Sequence, residues 1–178
     1  DAGVFVRSMA SRGSAGGLAR AVEATVRVLG ASGFSPVLVE TVGTGQGEVA
    51  IGDLADTVIV VLVPGMGDDI QMLKMGVLEI ADVYAVNKSD LDGADLFAEE
   101  LRAALSAGSS PCRARRELPD AAGWPTPVVA TSARSGDGIA ELAAALETHR
   151  EHLAADGLGE RLSAARASRR IVRALAEL

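Results

Sequence analysis

The sequence predicts an α/β fold in which helices cover both faces of a mostly parallel β-sheet. Short β-rich runs alternate with helical patterns along the chain, as expected of strand–helix–strand crossover units. Most of the β-rich runs are continuously apolar, which is typical of strands buried on both faces. The chain has 178 residues, 48% of them hydrophobic. That is enough for one ordinary domain with a sizeable core.

Five segments have the length and composition of strands. Each is short, mostly apolar and contains at least two valines. The predicted strands are Val4–Arg7, Pro36–Glu40, Thr57–Val63, Asp82–Val86 and Pro127–Thr131.

Helical segments lie between these strands. In the first, Leu18, Val22, Val26 and Leu29 recur at the spacing of one helix face. The predicted helices are Ser14–Ser32, Asp68–Ala81, Leu91–Leu105 and Ile139–Leu153.

A last helical pattern begins at Leu158, after the final strand–helix unit. It has one apolar stripe, and arginines occupy its other faces. Because the sheet does not need this helix, we predict a domain at residues 1–155 and a separate C-terminal helix at 156–178. We expect that helix to reach a second subunit and to form a homodimer.

Composition excludes several classes of protein. The net charge of −7 argues against a general nucleic-acid surface. No apolar run approaches the length needed to cross a bilayer, so no membrane partner is expected. One cysteine, Cys112, cannot form an internal disulfide, which fits the cytoplasm. The segment Ala107–Pro127, which contains Trp124, has the prolines and arginines of a long surface loop.

The predicted strand Asp82–Val86 ends abruptly in the polar sequence NKSD, residues 87–90. In a parallel sheet, ligands bind beyond the carboxyl ends of the strands. Asp90 can accept two parallel hydrogen bonds from an N–H and an NH₂ group, a pair that guanine offers and adenine does not. Asn87 can contact the acceptor edge of the ring, and the stem of Lys88 can lie along the flat base. The alternative is a polar turn in which Asp90 caps a helix starting near Leu91.

A second signal, the sequence TSA at 131–133, follows the next predicted strand. At a tight turn, the backbone N–H of Ala133 could approach the carbonyl oxygen of guanine, with Ser132 beside it. Adenine carries an amine at that position and would leave the donor unpaired. Two neighbouring strand ends would then converge on one purine.

A third signal is the glycine-rich stretch that follows the predicted strand Pro36–Glu40. A carboxylate at this strand tip, Glu40, can hold a magnesium-bound water beside a phosphate. The backbone N–H of Gly43 could approach the terminal phosphate. Gln46 could orient an attacking water. The alternative is a glycine-rich connection with a surface glutamate.

The motifs resemble one family in order and in detail. The stretches FVRSMASRGSAGGLA, VLVETVGTGQGE, VPGMGDDIQMLKMGVLEIADVYAVNKSD and TSARSGDGI are similar to those of the MeaB/ArgK-type GTPases. These are the G-protein chaperones of B12-dependent methylmalonyl-CoA mutase, and human MMAA is related to them. The resemblance runs from about Val4 to Glu151.

The resemblance implies a P-loop GTPase fold of the signal-recognition-particle branch. It implies hydrolysis of GTP to GDP and phosphate with Mg²⁺, and a partner that is methylmalonyl-CoA mutase or a related B12-dependent acyl-CoA mutase. Glu40 would be the acidic residue of the magnesium-binding strand, and Gly43 would lie in the second switch. Asp68, Gln71 and Lys74 match the third switch, which signals nucleotide state to the mutase. The helix at the C-terminus would begin the dimerisation arm.

One departure from the family pattern is large. The family carries a phosphate-binding loop ending in Gly-Lys-Ser/Thr, and no G-x-x-x-x-G-K-[ST] sequence occurs in this chain. We therefore expect an N-terminally truncated fragment that binds GTP weakly and hydrolyses it negligibly. The predicted activity is that of the intact protein.

Three other interpretations stay open at this point. The chain could be a non-catalytic interaction module that kept a guanine-reading edge. A nickel-delivery GTPase of the same branch would need a Cys/His cluster; His149 and His152 lie three residues apart, but no other such residue lies near, so we expect them at the surface. A translation-type GTPase would end the strand at Glu40 in D-x-x-G, where this chain has ETVG.

Overall fold

The computed structural model describes residues 3–9, 15–41, 54–65, 80–106, 118 and 123–176. The chain divides into two compact units, residues 1–55 and 56–178.

The first unit contains helix α1, Ala15–Ala31. Its apolar face includes the buried Val22. The helix ends at Ala31, and Gly33 in the turn that follows has a φ of 85°, which suits a residue without a side chain. Phe34 N–H donates to the Leu29 carbonyl at 3.0 Å, and Gly33 N–H donates to that of Gly30 at 3.0 Å. These two bonds satisfy carbonyl groups that the end of the helix leaves without intrahelical partners.

Two predicted strands of this unit are not strands in the structure. Val4–Arg7 and Pro36–Glu40 are irregular. Most of their apolar side chains are exposed, including Val6 at 84% and Leu38 at 83%. A strand exists only where its backbone pairs with a neighbour, and an apolar composition does not supply that neighbour. The composition correctly identified apolar segments, but the assignment of strands was wrong.

The second unit is built on a parallel sheet with the order β1-β2-β3. The strands are β1, Ile59–Leu62; β2, Val83–Val86; and β3, Val128–Ala130. The central Tyr84 pairs with Val60 on one side and Val128 on the other. All four residues of β2 are buried. The predicted α/β class with a mostly parallel sheet is confirmed, and the three strands fall inside predicted segments.

Helix α2, Ala94–Ser106, closes the core of this unit. Its buried Phe97 and Leu101 pack in one cluster with Tyr84 and Val86 of β2. Burying a side chain of this size contributes about 1.5–3 kcal/mol, so the helix is held to the sheet mainly by its apolar face.

Two helices follow β3. Helix α3 is Ile139–Ala154, and a short 3₁₀ turn, Ala155–Gly157, leads into α4, Leu158–Ala176. The chain bends where Asp156 has a positive φ of 50°. Leu158 and Leu162 at the start of α4 are buried, with Leu153 and Leu118 packed against them.

Further along α4, Val172 and Leu175 of the predicted apolar stripe are exposed, and so is the neighbouring Ile171. Among the residues that the structure describes, no helix is both long enough and apolar enough to span a membrane.

Candidate functional site

The carboxyl ends of β2 and β3 form one continuous edge. Because the two strands are parallel neighbours in register, Val86 lies beside Ala130. The pairing continues past both strands: Thr131 N–H donates to the Val86 carbonyl at 2.8 Å, and Ser89 N–H donates to the Thr131 carbonyl at 2.9 Å. The chain segments after the two strands are therefore held together by their backbones.

The polar side chains beyond this edge meet directly. The Ser132 hydroxyl donates to Asp90 Oδ1 at 2.8 Å. The Ala133 N–H donates to Asn87 Oδ1 at 3.1 Å. The structure thus brings together four of the residues singled out in the sequence, from two segments more than 40 residues apart in the chain.

Ser132 is fully buried, and the surrounding loop satisfies its polar groups. Its N–H donates to the Asp137 carbonyl at 2.9 Å, and its carbonyl accepts from Gly136 N–H at 2.8 Å. Its hydroxyl oxygen also accepts from Ser135 N–H at 3.3 Å. A buried hydroxyl with this many partners has a fixed direction.

Asp90 is held as a carboxylate. The hydrogen bond from Ser132 lowers the pKa of the Asp90 carboxyl below its ordinary value, and the positive charges of Arg134 and Lys88 lower that pKa further. The Arg134 guanidinium lies 3.8 Å from Asp90 Oδ2. An ionised carboxylate only accepts hydrogen bonds, which is what a guanine reader requires.

The alternative role of Asp90 as a helix cap does not hold. Helix α2 begins at Ala94, and the Asp90 side chain bonds to Ser132 instead. Gly93 stands directly before the helix with a φ of 86°.

Lys88 lies in the turn after β2, between Asn87 and Asp90, with an exposed side chain and a φ of 60°. This left-handed backbone conformation is uncommon for a residue with a side chain and costs about 1–2 kcal/mol. Strain of this kind often marks a functional position.

Gly138 anchors the start of α3 against the end of β3. Its φ is 72°, and a Cβ atom built on it would lie 1.9 Å from the Ala130 carbonyl oxygen. Only glycine fits this contact without a shift of the backbone. The close approach holds the loop that carries Ser132 and Ala133 at the carboxyl edge of the sheet.

The other predicted site residues belong to different parts of the chain. Glu40 lies in the first unit and is exposed. The remaining five fall outside the described residues: Gly43, Gln46, Asp68, Gln71 and Lys74.

A polar cluster that sequence analysis missed lies at the opposite edge of the sheet. Asp82, directly before β2, accepts from Val58 N–H at 2.9 Å through Oδ2. Its Oδ1 lies 3.8 Å from His149 Nε2. Thr57 Oγ1 and His149 Nδ1 are 2.9 Å apart. Trp124 Nε1–H donates to the Asp82 carbonyl at 2.7 Å.

This cluster corrects two expectations. His149 is only 1% exposed, so its predicted surface position is wrong. Trp124 was expected in a solvated loop, but its ring packs on His149 with 4.7 Å between centroids. Both side chains join α3 to the amino edge of the sheet. Within the described ranges, no three His, Cys, Asp or Glu side chains gather in a way that could hold a metal ion.

Sequence comparison adds the family. The family model described as methylmalonyl-CoA mutase-associated GTPase MeaB matches residues 1–177. A relative from Pyrococcus abyssi that is named a GTPase is 50% identical over 157 residues, 88% of this chain and 46% of the relative. Another from Caulobacter vibrioides, also named a GTPase, is 36% identical over 172 residues, 96% of this chain and 48% of the relative.

A mouse relative is the mitochondrial homolog of methylmalonic aciduria type A. It is 31% identical over 159 residues, 88% of this chain and 36% of the relative. The chain thus spans about half the length of the two GTPase-named relatives and about a third of the mouse protein. Since the family model covers nearly every residue, the chain belongs to the family of methylmalonyl-CoA mutase-associated GTPases of the MeaB type.

Proposed function

We propose that the full-length protein binds guanine nucleotide at the corner formed by Asn87, Lys88, Asp90, Ser132 and Ala133, and hydrolyses GTP. The observation that carries the proposal is the pair of hydrogen bonds that joins the two strand tips, Ser132 to Asp90 and Ala133 to Asn87. Two polar segments that are fastened together can present one continuous surface to a single base.

Asp90 supplies the selectivity in this proposal. The Ser132 hydroxyl holds Oδ1, and Oδ2 is approached by the exposed Arg134. The carboxylate can accept the N–H and NH₂ pair of guanine after Arg134 moves aside. Adenine has no such donor pair, so it would leave the carboxylate unsatisfied, a cost that such sites use for discrimination.

Asn87 and Ala133 contact the other edge of the base in this proposal. Because Asn87 Oδ1 accepts from Ala133 N–H, the amide NH₂ group serves as the donor toward an acceptor on the ring. The Ala133 N–H is already engaged with Asn87, so donation to the guanine oxygen requires it to share its hydrogen between two acceptors. The stem of Lys88 is proposed to lie along the flat face of the base.

The phosphate chemistry is proposed from the family and from three residues of the first unit. Catalysis of phosphoryl transfer is positioning plus charge stabilisation, with water as the nucleophile. Glu40 would hold a water bound to Mg²⁺, Gly43 N–H would approach the terminal phosphate, and Gln46 would orient the attacking water. The exposed carboxylate of Glu40 has the oxygen chemistry that Mg²⁺ takes, so it fits this part.

The partner is also proposed from the family. We infer that the protein assists cobalamin loading or protection of methylmalonyl-CoA mutase, or of a related acyl-CoA mutase, in the cytoplasm. Asp68, Gln71 and Lys74 would couple nucleotide state to the mutase. The C-terminal helix at 156–178 would start a homodimer arm, and the exposed apolar side chains late in α4 support that part of the proposal.

The test of the base site uses the full-length gene product. Wild-type protein should bind GTP at least about a hundredfold more tightly than ATP, because an adenine would leave the Asp90 carboxylate without its pair of donors. Asp90→Asn should shift the preference toward xanthine nucleotides, because the amide offers a donor where the carboxylate only accepts. Asp95→Asn, an exposed change in the first turn of α2, is the matched control. Equal affinity for GTP and ATP would overturn the proposal.

Coupling to the mutase needs its own measurement. Lys74→Ala should disturb the response of GTP hydrolysis to added mutase while leaving basal hydrolysis close to wild type. If the response to the mutase is intact in this variant, the third-switch part of the proposal fails.

A further inference from the structure

The loop from Ser132 to Gly138 is closed on itself. Its two ends are joined by Ser132 N–H to the Asp137 carbonyl at 2.9 Å. Inside the loop, the Ser135 hydroxyl donates to Asp137 Oδ2 at 2.6 Å, and Asp137 N–H approaches Ser135 Oγ at 3.5 Å. Asp137 therefore holds the loop twice, once by its main chain and once by its carboxylate.

This loop sets the direction of the Ser132 hydroxyl. Ser135 N–H donates to Ser132 Oγ at 3.3 Å, so that oxygen is an acceptor on the side of the loop. Its own hydrogen is then left for Asp90 Oδ1, 2.8 Å away. The bond from Ser135 N–H favours the orientation in which the hydroxyl hydrogen points at Asp90, and the Asp137 carboxylate holds Ser135.

The side chains of Ser135 and Asp137 are exposed, and neither contacts Asp90 in the described hydrogen bonds. An exposed serine–aspartate bond contributes little to core packing. Its location matters more than its strength, because it helps to orient the buried Ser132 hydroxyl, which bonds to the proposed base reader Asp90.

We propose that Asp137 is a positioning residue for guanine recognition, acting through Ser135 and Ser132 on Asp90. The inference rests on the proposed guanine site and deepens it. Asp137 does not touch the base. It orders the loop so that the Asp90 carboxylate is held by Ser132 at one oxygen and faces the base in one orientation.

The experiment compares GDP with IDP on the full-length protein. IDP lacks the NH₂ group of guanine and so loses one of the two bonds to Asp90. In Asp137→Ala, GDP affinity should fall about three- to tenfold, the effect of one net hydrogen bond. IDP affinity should fall less, so the GDP/IDP ratio should drop about threefold. A merely structural role would weaken both nucleotides equally and leave the ratio unchanged.

Two variants separate the hydrogen bond from the charge. Asp137→Asn keeps an oxygen that can accept from the Ser135 hydroxyl, so it should restore the GDP/IDP ratio. Glu141→Ala removes a carboxylate from the first turn of the same helix, α3, and should leave the ratio at the wild-type value. If Asp137→Asn behaves like Asp137→Ala, the positioning role is overturned.

A double-mutant cycle tests the route through Ser132. In a Ser132→Ala background, Asp137→Ala should cause no further loss of GDP affinity, because the hydroxyl that it directs is gone. Additive losses would overturn the route.

If the wild-type protein binds neither nucleotide, the proposed guanine site itself fails. If it prefers GDP and Asp137→Ala does not change the ratio, only the inference about Asp137 fails.

Discussion

The backbone N–H of Ala133 donates to the side-chain oxygen of Asn87 at 3.1 Å, which ties the turn after β3 to the turn after β2. This bond fixes which end of the Asn87 amide faces the turn and leaves its NH₂ group as the donor on the other side. An amide that is oriented in this way loses little freedom when a ligand binds, because its conformation is already set.

Acidification tests the link between Ser132 and Asp90. The pKa of Asp90 is lowered below its ordinary value of 3.8, first by the Ser132 hydrogen bond and less by Arg134. A carboxyl group whose pKa is lowered by folding stabilises the folded state at pH values above its ordinary pKa. This contribution to stability is lost as the pH falls through the lower pKa of the folded state. We expect guanine affinity to be unaffected by Asp90 between pH 7 and 5, and to fall only well below pH 4.

The measurement is a carboxyl carbon NMR titration of Asp90. Ser132→Ala should move the pKa of Asp90 up toward 3.8, and Arg134→Gln should move it up by less. A larger effect of Arg134→Gln would mean that charge, and not the hydroxyl, controls this carboxylate.

Gly138 tests the contact between α3 and β3. Gly138→Ala should lower the free energy of unfolding by at least about 2 kcal/mol, because the new Cβ would collide with the Ala130 carbonyl and φ is positive. Gly157→Ala is the control: its φ is 66° with nothing within 4 Å, so it should cost only about 1 kcal/mol of backbone strain. Denaturant unfolding measures the free energy of unfolding of both variants. Equal losses would show that the collision with the Ala130 carbonyl does not contribute.

The buried cluster can be tested at Thr57. Thr57→Val keeps the shape but removes the hydroxyl 2.9 Å from His149 Nδ1, which should cost about 1–3 kcal/mol of unfolding free energy. Thr148→Val removes an exposed hydroxyl on α3 that donates to the Ala144 carbonyl, and it should stay within about 0.5 kcal/mol of wild type. If both variants unfold at the same denaturant concentration, the hydrogen bond between Thr57 and His149 contributes nothing to stability.

Lys88 should separate stability from binding. Lys88→Gly relieves a left-handed backbone at φ 60° and should stabilise the fold by about 0.5–1 kcal/mol, after allowing for the extra freedom of glycine in the unfolded chain. GDP affinity of the full-length protein should fall, since the side-chain stem is gone. Lys88→Ala should lose affinity equally without becoming more stable. A loss of stability in Lys88→Gly would contradict this account of the strain.

The arrangement of the corner was predictable from the sequence because topology dictated it. Asn87 and Asp90 follow one strand and Ser132 follows the next, and neighbouring parallel strands end at one edge. Two apolar runs with polar ends were enough to bring these residues together. The chain itself gave no sign of the loop that directs Ser132, because Ser135 and Asp137 are ordinary turn residues whose bonds depend on the closed loop geometry.

The residues whose surroundings were predicted wrongly show what sequence patterns do not encode. His149 is three residues from His152 on one helix, and nothing in the local sequence indicates that a carboxylate and an indole from distant segments will bury it. The apolar run Val4–Arg7 has the composition of a strand, but a strand is defined by its partner. Both errors concern contacts between segments far apart in the chain, which periodicity does not encode.

Trp124 is the single tryptophan of the chain, and its N–H bonds to the carbonyl of Asp82 at the amino edge of the sheet. β2 separates this edge from the Asn87 corner by four residues, a span of about 13 Å. The tryptophan fluorescence of the protein therefore comes from Trp124 alone and reports whether the indole still bonds to the Asp82 carbonyl. An unfolding curve recorded by tryptophan fluorescence follows the amino edge of the sheet, on the far side from the Asn87 corner. It needs no dye or label.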